Sequence, residues 1–531
     1  MIHKHLSYYT SHLQQDIPAG IVVFLVALPL CLGIAMASGA PLFSGLIAGL
    51  VGGIVVSWLS GSQLSVSGPA AGLTVIVFNA IEQLGSYSGF LVSVVLAGII
   101  QLILGYCRAG IIGAFFPTSV IKGMLAAIGL ILIIKQLPHA IGYTGSFQGD
   151  ESYMNETAAS SLQEIFNAFS SISLSSILIT AVALLILILW ETSFIKSIKL
   201  FRVIPSPLIA VGWGVGYNLI ALQWFPELSV NEKLLVSLPV TENISQFIGL
   251  FSLPDFGFLY NPYVYVIAFT LALIASLETL LSLEAVDKLD PLKRIAPTSR
   301  ELKAQGVGNM LSGLIGGLPV TAVIVRSSAN INAGGRTRIS SFVHGIFLLL
   351  SILFFTQFLN LIPLACLSAI LLHTGFKLAK PQLFRSIYRQ GWNQFIPFIT
   401  TIVAILITDL LQGVLIGIGI GLFFVIKSNF HKSISLHYEE GHYTLILHKD
   451  ISFLNKALLR RVLNEIEENS SLIIDASNAK FIDFDIQETL DNFVKTATDD
   501  NISVQVYGFP QGYGLSTNNT DKITLLQKEA A

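Results

Sequence analysis

A chain of 531 residues that is 53% hydrophobic and only 12% charged carries about half the charge of an ordinary soluble domain, which points to a lipid-facing protein. Its formal net charge of -2 argues against nucleic acid, which asks for a basic face. The three cysteines, Cys31, Cys107 and Cys366, lie in apolar stretches without metal-type spacing, so neither a disulfide framework nor a metal cluster is expected.

A membrane span needs about 20 mostly apolar residues. In chain order such runs fall near 18–38, 42–60, 88–107, 117–136, 174–193, 206–224, 263–283, 338–356, 360–378, 394–410 and 412–428. Three further segments, near 64–82, 302–317 and 320–333, are apolar but broken by Gly and Pro. Together they predict an α-helical integral membrane protein of about fourteen spans. Because many runs follow the first, it is expected to be a span and not a cleaved signal peptide. From residue 431 onward the chain becomes an ordinary polar–apolar mixture. That shift divides it into a membrane domain, 1–430, and a small α/β domain, 431–531. In the tail, "HYTLILHK" and "SLIIDAS" read as strands, and "LNKALLRRVLNEIEE" and "DIQETLDNFVKTA" as amphipathic helices.

Loop charges predict the orientation. No Lys or Arg stands between Lys135 and Lys196, where Asp150, Glu151, Glu156 and Glu164 fall, and the loop from Pro226 to Pro262 has only Lys233. Basic residues crowd the alternate loops: Lys196, Lys199 and Arg202; Lys288, Lys293, Arg294, Arg300 and Lys303; Arg336 and Arg338; Lys377, Lys380, Arg385 and Arg389. The positive-inside rule puts these loops in the cytoplasm, and an even span count puts both termini there too. The sequons at Asn155 and Asn243 fall in outer loops and carry meaning only in a glycosylating host. Lys122, Lys135 and Asp409 stand near enough to span ends to snorkel.

Two interrupted segments correspond. In "SGSQLSVSGPAAGLTVIVFNAI" polar residues run into Gly68-Pro69-Ala70-Ala71-Gly72 before an apolar helix, and in "SGLIGGLPVTAVIVRSS" Gly316-Gly317-Leu318-Pro319 does the same. Pro suits the first turn of a helix, so each segment is expected to hold a half-helix starting near mid-membrane. Short Gly/Pro-interrupted segments in matching places of two halves point to an inverted-repeat transporter site. Half-helix N-termini, with unpaired N–H groups and partial positive charge, suit a small anion. Glu278 lies well inside one span and Arg326 just after the second break, and ionisable groups at such depth face a cavity or a partner. Glu278 and Ser282 share a helix face. Glu278 is read as lining the site, either carrying a coupling cation (H⁺ or Na⁺) or pairing with Arg326, which adds positive potential for the anion. Small residues at helix spacing in "GLIAGLVGGIVV" and "GVLIGIGIGLFF" read as packing surfaces.

The stretches "SVSGPAAGLTVIV", "SLETLLSLEAVDKLDP" and "RELKAQGVGNMLSGLIGGLPVTAVIVRSSANINAGGRT", with the α/β tail, resemble the SulP family of sulfate-permease-like anion transporters over nearly the whole chain. The resemblance implies a seven-plus-seven inverted repeat, a core domain moving against a gate domain by elevator-like alternating access, a homodimer in the plasma (inner) membrane, and a cytoplasmic STAS domain. It places the anion site at Ser67, Gly68, Pro69, Ala70 and Ala71, and at Val323, Ile324, Val325 and Arg326, lined by Leu30 and Ile34 of the first helix, with Glu278 as the acidic position of the eighth. Several animal members carry aromatic side chains where this chain has Ala70 and Ile34, which implies a pocket of different shape. Sodium–bicarbonate members place a hydroxyl at Ile324 and Asp at Glu278, so proton coupling is at least as consistent as sodium. Phosphorylatable STAS domains carry Ser after Asp in the turn that here reads Ile482-Asp483-Phe484-Asp485, so phosphorylation control there is not expected.

Bicarbonate and sulfate lead as substrates. The alternatives are an anion exchanger or channel, a uracil/xanthine-permease-like carrier, and a non-transporting scaffold. A nucleobase site would need more polar side chains than this one, which is mostly backbone and aliphatic. No nucleophile–base constellation suggests an enzyme, and no cofactor is expected. His139 and His344 are isolated and read as polar contacts.

Overall fold

The computed structural model describes residues 11–110, 117–143, 173–192, 204–240, 250–408, 410–430, 433–509 apart from 440, 449 and 480, the strand 523–526, and positions 195, 246 and 249. Lys196, Lys199 and Arg202, the acidic residues Asp150, Glu151, Glu156 and Glu164, Asp409 and both sequons lie outside the described residues. The chain divides into two compact units, Met1–Ile418 and Gly419–Ala531. The division falls inside the last apolar helix, and the change in composition comes at that helix's end.

The first unit runs α1 (Leu13–Ala37), α2 (Leu42–Leu59, with a π-helical turn at Gly52–Val56), β1 (Ser67–Pro69), α3 (Ala71–Leu84), α4 (Tyr87–Tyr106), α5 (Thr118–Ala140), α6 (Leu174–Trp190) and α7 (Ser206–Trp224). It continues with α8 (Pro262–Leu289), α9 (Thr298–Leu314), β2 (Val320–Ala322), α10 (Ile324–Asn332), α11 (Ile339–Phe354), α12 (Leu364–Leu378), α13 (Pro381–Arg389) and α14 (Trp392–Ile407), and leads into α15 (Leu410–Phe430). Among the described residues, α1, α2, α4, α5 and α8 are long and apolar enough to cross a membrane, and α3, α6, α11, α14 and α15 are shorter apolar helices. Their starts are where local chemistry puts them. Ser86 accepts the Gly89 N–H at the head of α4, Ser173 that of Ser176 at α6, and Asn261 that of Tyr263 at α8, with Pro262 following at the first helical position.

The helices pack in two groups. The first joins α1–α4 to α8–α11, and the second joins α5, α6, α7, α12 and α14, with α1 touching α7 and α12 of the second. Close approach depends on glycine in both groups. A Cβ at Gly98 of α4 would meet the Gly306 carbonyl of α9 at 2.6 Å, and one at Gly129 of α5 the Gly375 carbonyl of α12 at 2.5 Å, so only hydrogen leaves room for these backbones. The segment 302–317, expected as an interrupted apolar run, instead falls largely within an unbroken helix, α9, and it is only weakly apolar because that helix carries a stripe of buried polar side chains. The interruption follows it, at Gly316, whose φ of +86° suits glycine.

The second unit is a five-stranded sheet in the order β3 (Ile434–Glu439), β4 (His442–Leu447), β5 (Ser471–Asp475), β6 (Ser503–Tyr507) and β7 (Ile523–Leu526). β3 and β4 are antiparallel, and the pairs β4–β5, β5–β6 and β6–β7 are parallel. Helices α16 (Lys456–Leu463) and α17 (Phe484–Ala497) cover it, burying Leu459, Leu463, Ile486 and Leu490 against Leu445, Leu472 and Ile474. α16 is shorter than its amphipathic pattern suggested. It stops at Leu463, and the Asn464 N–H closes the last turn on the Arg460 carbonyl. In the turn before α17, Asp483 caps the helix by accepting the Asp485 N–H at 3.1 Å, and Phe484 stands 77% exposed.

Candidate functional site

The two interrupted segments meet. β1 and β2 form a two-stranded antiparallel sheet with Ser67 opposite Ala322, Gly68 opposite Thr321 and Pro69 opposite Val320. The Val323 N–H extends the pairing to the Val66 carbonyl at 2.9 Å. Each strand leads through one extended residue, Ala70 or Val323, into a short helix, α3 or α10. The prolines are placed differently from expectation. Pro69 ends β1 and Pro319 precedes β2, while the helices start at Ala71 and Ile324. A proline fixes its own φ and drives the preceding residue towards extended backbone, and in a two-stranded sheet both strands are edges that tolerate its missing N–H.

Glycine lets the sheet lie against its neighbours. A Cβ at Gly52, in the π-helical turn of α2, would collide with the Ser67 carbonyl. α1 packs on β1, α3 and α10, which brings Leu30 and Ile34 to the same region, both buried. Ser67, Gly68, Pro69 and Ala70 are buried and Ala71 half-buried, whereas Ile324 and Val325 stand 41% and 46% exposed at the head of α10.

Arg326 turns away from that exposed surface and is fully buried. Its Nη2 donates to the Pro69 carbonyl at 3.3 Å, and Nε and Nη1 have no nitrogen or oxygen partner. The Cys31 thiol lies beside the guanidinium, and a side chain at Gly68 would collide with Nη1. No carboxylate among the described residues pairs with it, so a fixed positive charge sits directly behind β1 without a counter-charge.

Glu278 corrects one of the two readings offered for it: no ion pair joins it to Arg326. Half-buried on α8, its carboxylate accepts the Gly72 N–H at the head of α3, while Oε2 keeps no partner. A Cβ at Gly72 would come within 2.7 Å of both carboxylate oxygens. One N–H that the half-helix was expected to offer an anion is therefore used by Glu278, a favourable place for a negative group. Ser282 is buried one turn further along α8, and no hydrogen bond joins its hydroxyl to the carboxylate.

The framework holding the strands was missed from sequence. α9 carries Glu301, Gln305, Asn309 and Ser312 on one face, all buried. Glu301 accepts Ser60 Oγ at 2.5 Å and Gln305 Nε2 at 3.0 Å, and the same Nε2 donates to Ser67 Oγ at 2.8 Å. Asn309 grips β2 from both sides of one peptide: Oδ1 accepts the Val320 N–H at 2.6 Å and Nδ2 donates to the Val320 carbonyl at 3.0 Å. Nδ2 also reaches Gln101 Oε1 at 2.6 Å, and Ser312 Oγ donates to the Leu318 carbonyl at 2.7 Å. Across the sheet, Ser327 accepts the Val66 N–H at 2.9 Å and Thr279 the Ala322 N–H at 3.3 Å. The signal was present in the spacing of polar residues in "ELKAQGVGNMLS", four, four and three apart.

Several loop charges are structural as well. Arg338 and Arg300 donate to the Trp58 and Leu59 carbonyls at 2.9 and 3.0 Å, closing the C-terminus of α2. Asp16, fully buried, accepts the Arg336 and Thr337 N–H groups at 2.7 and 3.0 Å. Arg294 pairs with Asp290 at 2.7 Å. Burial alone would raise the Asp290 carboxyl, but its bonds to Arg294 and the Leu292 N–H hold it below the usual carboxylate range. His344, expected as a polar contact near the membrane surface, is fully buried near Arg326 with both ring nitrogens unpartnered. Lys135 of α5 lies over the Phe78 ring of α3, 3.2 Å from its centroid, and so links the two helix groups.

Residues 13–419 match the sulfate permease family. The bicarbonate transporter BicA of Synechocystis sp. is 25% identical over 528 residues, 94% of this chain and 88% of that protein. The chloroplastic sulfate transporter 4.1 of Arabidopsis thaliana is 25% identical over 441 residues, 81% of this chain and 60% of that one. The inward-facing structure of murine Slc26a9, an anion transporter, superposes with a TM-score of 0.76 at 16% identity, covering 94% of this chain and 86% of that chain, a likeness of fold alone. The match over 13–419 spans well over half the chain, and on it this integral membrane protein belongs to the sulfate permease family, a family of anion transporters and not of enzymes.

Proposed function

We propose that the chain is a secondary active transporter of small inorganic anions, with bicarbonate and sulfate as the leading substrates. The carrying observation is the β1–β2 pair, with a short helix starting from each strand and the uncompensated Arg326 directly behind it. Helix N-termini and a buried cation converge there on backbone amides and aliphatic side chains. That lining suits a small ion better than a nucleobase. Ser67, Gly68, Pro69, Ala70 and Ala71, with Val323, Ile324 and Val325, form the anion site in this reading, and Leu30 and Ile34 close it from α1. The group α1–α4 with α8–α11 acts as the mobile core and the second group as the gate. The halves form a seven-plus-seven inverted repeat of about fourteen spans, working as a homodimer by elevator-type alternating access. The plasma membrane houses it with both termini in the cytoplasm, and the C-terminal unit is a STAS-like domain.

The named BicA and sulfate transporter relatives support both substrates. Proteoliposome uptake of labelled bicarbonate and of labelled sulfate, with and without Na⁺ and pH gradients, decides between them. Val325 is exposed, so Val325→Phe fills the site without overpacking a core. Uptake is expected to fall at least about tenfold with an unchanged melting temperature, and undiminished uptake and affinity would move the site elsewhere. Glu278 is the coupling group in this reading, with H⁺ or Na⁺ as the coupled cation and Ser282 beside it on α8. Glu278→Gln is expected to abolish gradient-driven accumulation while labelled-anion exchange persists. Normal gradient-driven uptake by this variant would leave Glu278 a purely structural cap on α3.

A further inference from the structure

Away from the strand pair, a cavity of about 860 Å³ opens between α5, α6, α12 and α13, within the usual range of about 300–1,000 Å³ for ligand pockets. Its body is apolar, formed by Ile133, Leu184, Ile188, Leu372 and Phe376. Ile188 and Phe376 are more than half exposed, so it opens sideways from the helix bundle. Its rim is charged and carries Lys377, Lys380, His373 and Glu191. Glu191, the one carboxylate on the rim among the described residues, is already engaged by Lys377 and by His373 at 3.3 Å. Lys380 forms no ion pair among the described residues, and the chain has no Asp or Glu from 302 to 408 to neutralise it.

The neighbouring helix α13 fixes the depth of this rim. It starts with Pro381, turns Leu383, Phe384 and Ile387 inward, and leaves Arg385 and Arg389 exposed. This is the pattern of a helix lying in the membrane interface. Tyr388 and Trp392 follow, both exposed, with ring centroids 5.6 Å apart, as in an aromatic belt at headgroup level.

We propose that this cavity binds one anionic phospholipid per chain, its phosphate on Lys380 and Lys377 and an acyl chain against Leu184, Ile188 and Phe376. A cationic rim over an apolar cleft between helices suits a headgroup with its chain. A free inorganic anion would gain nothing from the apolar body, and a zwitterionic lipid would bring no net charge to the rim.

The test is native mass spectrometry of the full chain in neutral detergent, titrated with phosphatidylglycerol or phosphatidylcholine. Lys380→Gln removes the rim charge without unpairing Glu191, and Leu184→Trp fills the apolar body with the rim intact. One phosphatidylglycerol is expected to stay bound per wild-type chain, with phosphatidylcholine and either variant weaker by about tenfold or more. Equal retention of phosphatidylglycerol by both variants overturns the proposal. So does protection against thermal unfolding by inorganic phosphate equal to that by phosphatidylglycerol, which makes this an ion site. Dissociation of a dimer by Leu184→Trp would also overturn it, because a second copy then covers the cavity.

Discussion

Arg326→Gln is expected to lower saturable anion uptake by about 100-fold or more, within the range lost with a charge-assisted hydrogen bond, while the melting temperature stays level or rises. The two readouts separate because the guanidinium is fully buried yet has one long bond to an oxygen, the Pro69 carbonyl, beside the Cys31 thiol, and pairs with no carboxylate among the described residues. Removing one member of a buried ion pair strands the other charge, whereas removing an unpaired buried charge relieves the fold of a desolvated cation. Gln keeps a donor for Pro69 and most of the side-chain volume. Uptake kinetics in proteoliposomes beside a thermal melt in detergent check it. A variant that loses stability and uptake together would make Arg326 a packing residue and remove its role behind the anion.

Asn309→Leu carries the largest stability effect. Leucine keeps the approximate volume but leaves the Val320 N–H and carbonyl without their side-chain partners and frees Gln101 Oε1, all in the buried interior. At about 1–3 kcal/mol for each of these three buried groups left unsatisfied, the loss is roughly 3–9 kcal/mol. Ser312→Ala removes one bond, to the Leu318 carbonyl, and is expected to lose only about 1 kcal/mol. Denaturant unfolding of the two variants in one detergent measures the difference. Equal small losses would show that β2 holds its position through β1 alone. In Asn309→Leu uptake should fall as well, because Val323 and α10 follow directly from β2.

The apolar helices were readable because a bilayer demands them, and the two interrupted segments because Gly and Pro punctuate backbone wherever they occur. What α9 does was not readable in the same way. Its composition shows only that it is weakly apolar, and the four-four-three spacing of Glu301, Gln305, Asn309 and Ser312 is what reveals a buried polar face. The partner of Glu278 was hidden for a different reason. Charge alone suggested Arg326, but the Gly72 N–H that takes the carboxylate is a backbone group with no signature of its own. Arg326 stands in the first turn of α10, and its direction, back towards Cys31 and Gly68, is set by tertiary packing. The prolines announced both breaks, yet whether each opens a helix or borders a strand depends on the opposite segment pairing with it.

That pairing bears on how the protein is made. The strand at residues 66–69 is held by the second half, the Val66 carbonyl accepting the Val323 N–H, the Val66 N–H donating to Ser327 and the Pro69 carbonyl accepting from Arg326, and no lipid can substitute for these partners. While the chain emerges from the ribosome, the first half must wait in the membrane with an open backbone edge until the second half is threaded in beside it. Insertion of the early helices is therefore an unfinished state, and a break in synthesis between residues 70 and 319 leaves a fragment whose central strand only water, a chaperone or a separately supplied second half can satisfy.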